Sequence, residues 1–167
     1  MLTLRQLIPP LTARRLDDGA GEIVRAWDYK QKKSLLIAFL HGDCPQCRSF
    51  AARLASRVAE LLELDSVALV IYLEAPRAGL TAAPPVILLA SETTGRAAQE
   101  YLGADVFGPL GLARVGLFVA DRYGELFAQW EARDADGLPA LAEAFKWLAH
   151  TQIVCEECST PHWPTGE

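Results

Sequence analysis

The stretch that most constrains this chain is an unbroken apolar run with a cysteine pair directly behind it. It reads Ser34-Leu35-Leu36-Ile37-Ala38-Phe39-Leu40, then His41-Gly42-Asp43, then Cys44-Pro45-Gln46-Cys47. An apolar run of this length predicts a strand buried on both faces, too short for a membrane span or a long helix. Further on, Cys47, Phe50, Leu54, Val58 and Leu61 follow at steps of three and four, one stripe of a helix reaching to about Leu64. The two cysteines therefore fall where a buried strand gives way to the first turn of a helix.

That placement has chemical consequences. A thiol reacts as its thiolate, and a helix N-terminus offers unpaired N–H groups and the positive end of the peptide dipoles. Pro45 suits the first turn because its missing N–H costs nothing there. Two intervening residues let both sulfurs meet on that turn and form a small, reducible disulfide. The competing reading is a pair of half-buried thiols that pack as small hydrophobes; strand, proline and helix together favour redox chemistry. Asp43 is read as the helix cap. His41 is a candidate proton carrier, against the plainer reading of a histidine at a strand end. Arg48, just inside the helix, reads as part of a solvated face.

At 167 residues, 51% hydrophobic and 22% charged, the chain has the size and balance of one globular domain. A net charge of −5 argues against a general nucleic-acid binder. Met1 to Pro10 lacks the features of a secretion signal, and no run approaches the roughly 18 apolar residues of a membrane helix. The expectation is a cytoplasmic protein, where paired cysteines are more often catalytic or metal-binding than structural.

In chain order, residues 11–33 read as a lead-in with turn residues at Asp17-Asp18-Gly19. Val67 to Leu73 is a second buried strand, joined to the first by the helix in a right-handed parallel unit. A proline-rich loop follows over 75–85, then a third strand over 86–90. A helix is expected over 92–101, with Ser91 as cap and Gly103 as stop. Val115 to Ala120 and Glu125 to Trp130 flank the turn Asp121-Arg122-Tyr123-Gly124 and predict an antiparallel hairpin. Leu138, Leu141, Phe145 and Leu148 mark a last helix with Pro139 in its first turn. The order implies an α/β fold, a mixed central sheet with helices on both faces.

Four segments together resemble the redoxin branch of the thioredoxin superfamily, which holds the peroxiredoxins (the alkyl hydroperoxide reductase/thiol-specific antioxidant family) and thioredoxin-like reductases. They are Asp17 to Tyr29, similar to that family's opening hairpin; Phe39 to Cys47; Leu89-Ala90-Ser91 to Gly103; and Gly116-Leu117-Phe118 to Gly124. The resemblance spans residues 16 to about 150. It implies a thioredoxin-like three-layer fold over 1–150, leaving 151–167 as a C-terminal tail. Mapped on the peroxiredoxin pattern, Cys47 takes the peroxide-attacking position, Cys44 stands where a threonine is usual, and Leu40 where a proline is usual. Arg114 stands near the family's arginine. Thioredoxin-like reductases instead keep the cysteine pair and a proline just before the later strand, where this chain has Val115.

The resemblance thus implies a thiol-based oxidoreductase with catalytic candidates Cys44, Cys47, Pro45, His41 and Arg114. In thiol–disulfide exchange, Cys44 attacks and Cys47 resolves; in a peroxidase, Cys47 is oxidised and Cys44 condenses with it. The expected partners are a thioredoxin-like or small thiol reductant and a protein disulfide or peroxide, without nucleic acid or membrane, and with a homodimer left open. No cofactor is required. A reading of another class is a metal-binding or metal-delivery protein, since Cys-x-x-Cys beside a histidine suits soft metals. In the tail, His150, Cys155, Cys158 and His162 read alternatively as a zinc site, a second dithiol relaying electrons, or an idle terminus.

Overall fold

The computed structural model describes residues 2–77, 84–109 and 111–154. The strands in chain order are β1 (Thr12–Arg15), β2 (Ile23–Arg25), β3 (Ser34–Leu40), β4 (Ser66–Tyr72), β5 (Ile87–Ser91), the short pair β6 (Phe107–Gly108) and β7 (Gly111–Leu112), then β8 (Val115–Ala120) and β9 (Leu126–Ala132). The helices are α1 (Pro45–Ala55), α2 (Val58–Glu63), α3 (Arg96–Leu102) and α4 (Leu141–Ile153), with 3-10 turns at Ala26–Tyr29 and Ala135–Gly137. Seven strands form one mixed sheet in the order β2-β1-β5-β4-β3-β8-β9. Strands β3, β4 and β5 run parallel, with Leu36 beside Ala68 and Ala68 beside Ile87. Strand β8 lies antiparallel to β3 and pairs in turn with β9.

Every residue of β3, β4 and β8 is buried, as unbroken apolar runs require when both faces of a sheet are covered. Alternation along β3 divides the core. Leu36, Ala38 and Leu40 join Cys47, Phe50 and Leu54 of α1 and Ala144, Phe145 and Leu148 of α4 on one face. Leu35, Ile37 and Phe39 join Ala97, Ala98 and Tyr101 of α3 on the other. This is the expected three-layer arrangement, and the hairpin β1–β2 extends the sheet beyond β5. Gly116 lets α3 approach β8, since a Cβ there would stand 2.4 Å from Leu102.

Three expected boundaries move, each through side chains that bond the backbone. The helix expected to run from Pro45 to Leu64 is broken. The Ser56 hydroxyl donates to the Arg53 carbonyl, Arg57 takes a non-helical conformation, and its guanidinium grips Glu60 to start α2. The helix expected from Glu92 starts only at Arg96. The Glu92 carboxylate accepts the amides of Thr94 and Ala97, so Ser91 ends a strand and Gly95, at φ +74°, is the cap. The last helix begins after Pro139, not around it, because the Asp134 carboxylate draws Asp136 and Gly137 into a separate turn. Gly103 stops α3 as expected, at φ +99°. Among the described residues no helix is long and apolar enough to cross a membrane.

The α3 face is locked by an aromatic cluster. Tyr101 lies 5.1 Å from both Phe39 and Phe118 between ring centroids, and its hydroxyl donates to the Pro9 carbonyl at 2.8 Å. Phe118→Ala should therefore lower the unfolding free energy by about 3–5 kcal/mol. Tyr101→Phe, which removes only the hydrogen bond, should cost about 1 kcal/mol, both being read from urea denaturation curves.

Candidate functional site

The loop 41–43 leaves the C-terminal end of β3 and turns at once into α1. Gly42 makes the turn passable, since a Cβ there would stand 2.6 Å from the Glu74 carbonyl. Asp43, expected to cap the helix, does otherwise. Its carboxylate accepts the Arg77 amide at 3.0 Å and faces the Arg77 guanidinium at 3.4 Å, tying the loop to the segment after β4. The cap position belongs to Cys44, whose carbonyl accepts the Arg48 amide, and Pro45 occupies the first turn as expected.

The structure brings His41, Cys44 and Cys47 together. A ring nitrogen of His41 and the two sulfurs all lie within 4.8 Å of one another. Both cysteines are free thiols, but their surroundings differ. Cys44 is partly exposed, and its Sγ donates to Gln46 Oε1 at 3.1 Å. Cys47 is fully buried in the stripe with Phe50 and Leu54. Burial pushes its thiol up to about 12, although the amides of His41 and Ala135 point at the sulfur and favour its anion. The nearby Tyr72 hydroxyl, buried at the end of β4, is likewise pushed up to about 12 by burial and then by Cys47. His41 Nε2 is buried and lacks a hydrogen-bond partner among the described residues.

The remaining candidates lie elsewhere. Arg114 precedes β8, but its guanidinium donates to the Leu102 carbonyl at 2.7 Å and to Asp105 at 2.6 Å, and approaches Glu131 at 3.9 Å. These contacts belong to the α3 side of the sheet, whereas the cysteines belong to the α1 side. Val115, at the position of the reductases' proline, packs in the same buried cluster as Cys47. His150 is exposed on α4, its ring edge-on to Phe127 and Trp147. Cys155, Cys158 and His162 lie outside the described residues, so the zinc, relay and idle readings of the tail stay as expectations. Tyr72, Gln46 and the Ala135 amide were not foreseen. Only Gln46 carried a local signal, its place between the cysteines.

Comparison with known proteins gives the fold a wider setting. No family model and no curated protein matches the chain by sequence. Solved structures do. The mitochondrial 2-Cys peroxiredoxin of Plasmodium falciparum superposes with a TM-score of 0.70 at 15% identity, covering 89% of this chain and 93% of its own. The reduced 2-Cys peroxiredoxin of Plasmodium vivax gives 0.73 at 14% identity, covering 91% and 83%. Thioredoxin peroxidase I of Plasmodium yoelii gives 0.70 at 16%, covering 98% and 100%. The chain has the thioredoxin-like fold in its peroxiredoxin form.

The unlike settings of the two thiols should appear directly in their reactivity. Iodoacetamide at pH 8 should modify Cys44 and spare Cys47 in the folded, reduced protein, as peptide mass mapping would show. Because the folded Cys47 thiol holds its proton more tightly than an unfolded one, its contribution to stability is complete below about pH 9. It should then fall as pH rises toward 12. Urea unfolding from pH 8 to 11 should show a decline that is shallower in Cys47→Ala, the remainder coming from groups such as Tyr72 whose raised hydroxyl acts with the same sign.

Proposed function

We propose that the protein is a thiol-dependent oxidoreductase that cycles a Cys44–Cys47 disulfide, with Cys44 as the entering nucleophile. The observation that carries this reading is the asymmetry of the pair: one sulfur reachable and the other buried within 4.8 Å of it. Thiol–disulfide exchange needs that division of labour. The Cys44 thiolate attacks a substrate disulfide, one substrate sulfur leaves as a thiolate, and a mixed disulfide forms. Cys47 then loses its proton, attacks Cys44 Sγ, and expels the second substrate thiolate. The substrate is reduced by two electrons and the protein is left with an intramolecular disulfide.

The arrangement around Cys47 supports the resolving role. A thiol held protonated by burial stays silent toward outside electrophiles, yet needs only a short movement to reach its neighbour. The amides of His41 and Ala135 stabilise the charge that develops on its sulfur as the proton departs. His41, within reach of both sulfurs, can accept that proton. Regeneration calls for a thioredoxin-like or small thiol reductant.

Peroxide reduction is the second reading, favoured by the peroxiredoxin form of the fold. Its usual assignment here, Cys47 as the attacking residue, is opposed by the burial of that thiol. With Cys44 facing the peroxide the chemistry balances. Cys44 becomes a sulfenic acid as one oxygen is transferred and an alcohol or water leaves, and Cys47 condenses with it, releasing water.

The variants separate these outcomes. Cys47→Ser should accumulate a mixed disulfide on Cys44 when given a model disulfide, detected by intact mass, whereas Cys44→Ser should form none on Cys47. Peroxide consumption in the presence of dithiothreitol should fall to background in Cys44→Ser if peroxide is the substrate. Trapping on Cys47 in the Cys44→Ser protein would reverse the assignment of roles.

A further inference from the structure

We propose that the reduced protein binds one thiophilic d10 cation, Zn2+ or Cu+, through His41, Cys44 and Cys47. This use of the site goes beyond electron transfer and does not rest on it. The donors recur at a fixed interval, His41-x2-Cys44-x2-Cys47, on a loop and the first helical turn behind it. Their ligand atoms lie within 4.8 Å of one another. Metal–sulfur bonds of about 2.3 Å and metal–nitrogen bonds of about 2.0–2.1 Å place such atoms roughly 3.5–3.8 Å apart. Shifts of about an ångström in the ligand atoms would therefore close the set around an ion.

A second observation points to a ligand. His41 Nε2 is shut away from solvent and has no hydrogen-bond partner among the described residues. Buried polar nitrogens nearly always find a partner, and a nitrogen of this ring lies within 4.8 Å of both sulfurs. Two thiolates and one imidazole are soft donors that select zinc and copper(I) over magnesium or calcium. The nearest carboxylate along the chain, Asp43, is turned away toward Arg77, so the set carries no hard oxygen ligand from that side. Three protein donors suit a three-coordinate Cu+ or leave a zinc ion one position for a solvent ligand on the side where Cys44 is exposed. Disulfide formation between Cys44 and Cys47 consumes both thiolates, so the oxidised protein cannot hold the ion.

The test uses the full chain, reduced under anaerobic conditions, carrying Cys155→Ser, Cys158→Ser and His162→Ala to remove the tail donors. Zn2+ is titrated against a chromophoric chelator and Cu+ against bicinchoninate, which tells the two ions apart. The expected result is one equivalent of at least one ion, with X-ray absorption reporting two sulfurs and one imidazole nitrogen. Adding His41→Ala should weaken binding by about 100-fold or more, beyond what a merely supporting residue contributes, and erase the imidazole signal. His41→Asn is the alternative should the alanine protein lose its circular dichroism spectrum. Absence of a retained ion in the tail-substituted background, or an absorption spectrum indifferent to His41, would overturn the proposal. Intact mass of the same preparation after an oxidised dithiol reports Cys44–Cys47 disulfide formation separately, so redox failure and metal failure are read apart.

Discussion

Strand β3 is hydrogen-bonded along both edges, parallel to β4 and antiparallel to β8, and buried on both faces. Few positions in a fold are held so completely. Its C-terminal end is fixed in height and direction by neighbours that share no loop with it, and the cysteine loop inherits that fixity. Helix α1 is then set by its own stripe: Cys47, Phe50 and Leu54 all lie within 1% of full burial against the face that Leu36, Ala38 and Leu40 present. At about 1.5–3 kcal/mol for each large side chain so buried, this packing outweighs any local preference of the loop. The site is positioned mainly by the core, with the Asp43–Arg77 contact holding the loop itself.

Cys47 consequently serves two masters. As a member of the stripe it must be buried for α1 to sit down on the sheet, and burial holds its proton on the sulfur. As the resolving thiol of the proposed cycle it would have to give that proton up. The amides of His41 and Ala135 are aimed at the sulfur and favour its anion, which would ease that step. Cys44, three residues earlier, is spared the conflict: it stands at the cap position, is partly exposed, and donates to Gln46. The difference between two chemically identical residues thus follows from their places on α1: Cys47 lies on its inner stripe, whereas Cys44 is the extended residue ahead of the first turn, at the rim.

That division was partly legible in the residues. The unbroken runs announced β3, β4 and β8, and the three-four spacing announced α1 with Cys47 on its inner stripe. What escaped was whatever depends on one side chain bonding the backbone nearby. Ser56, Glu92 and Asp134 each divert a turn that periodicity would have continued, and period alone carries no sign of it. Residues brought in from afar escaped for another reason. Tyr72 comes near enough to feel Cys47, and the Ala135 amide to point at its sulfur, only because β4 lies beside β3 and because the chain returns after β9. Arg114 shows the converse. Its place in the sequence suggested the site, but alternation about β8 puts its neighbour Val115 on the cysteine face and carries the guanidinium to the α3 face, toward Leu102 and Asp105.

The same reasoning separates what the fold contributes from what the site contributes. Superposition on peroxiredoxins at 14–16% identity reflects the sheet, the helices and their order, all of which follow from buried apolar pattern. It is indifferent to whether a threonine or a cysteine stands at position 44. The cysteine at that position is what brings a second sulfur to Cys47 and the imidazole of His41. Under the two proposals such a cluster has two fates: it gives two electrons to an oxidising substrate and closes as a disulfide, or it donates lone pairs to a soft cation. Both draw on the same geometry and each excludes the other. On these proposals the oxidation state of the pair would decide which is open, and the His41 nitrogen without a partner among the described residues is the structural feature that the disulfide alone does not explain.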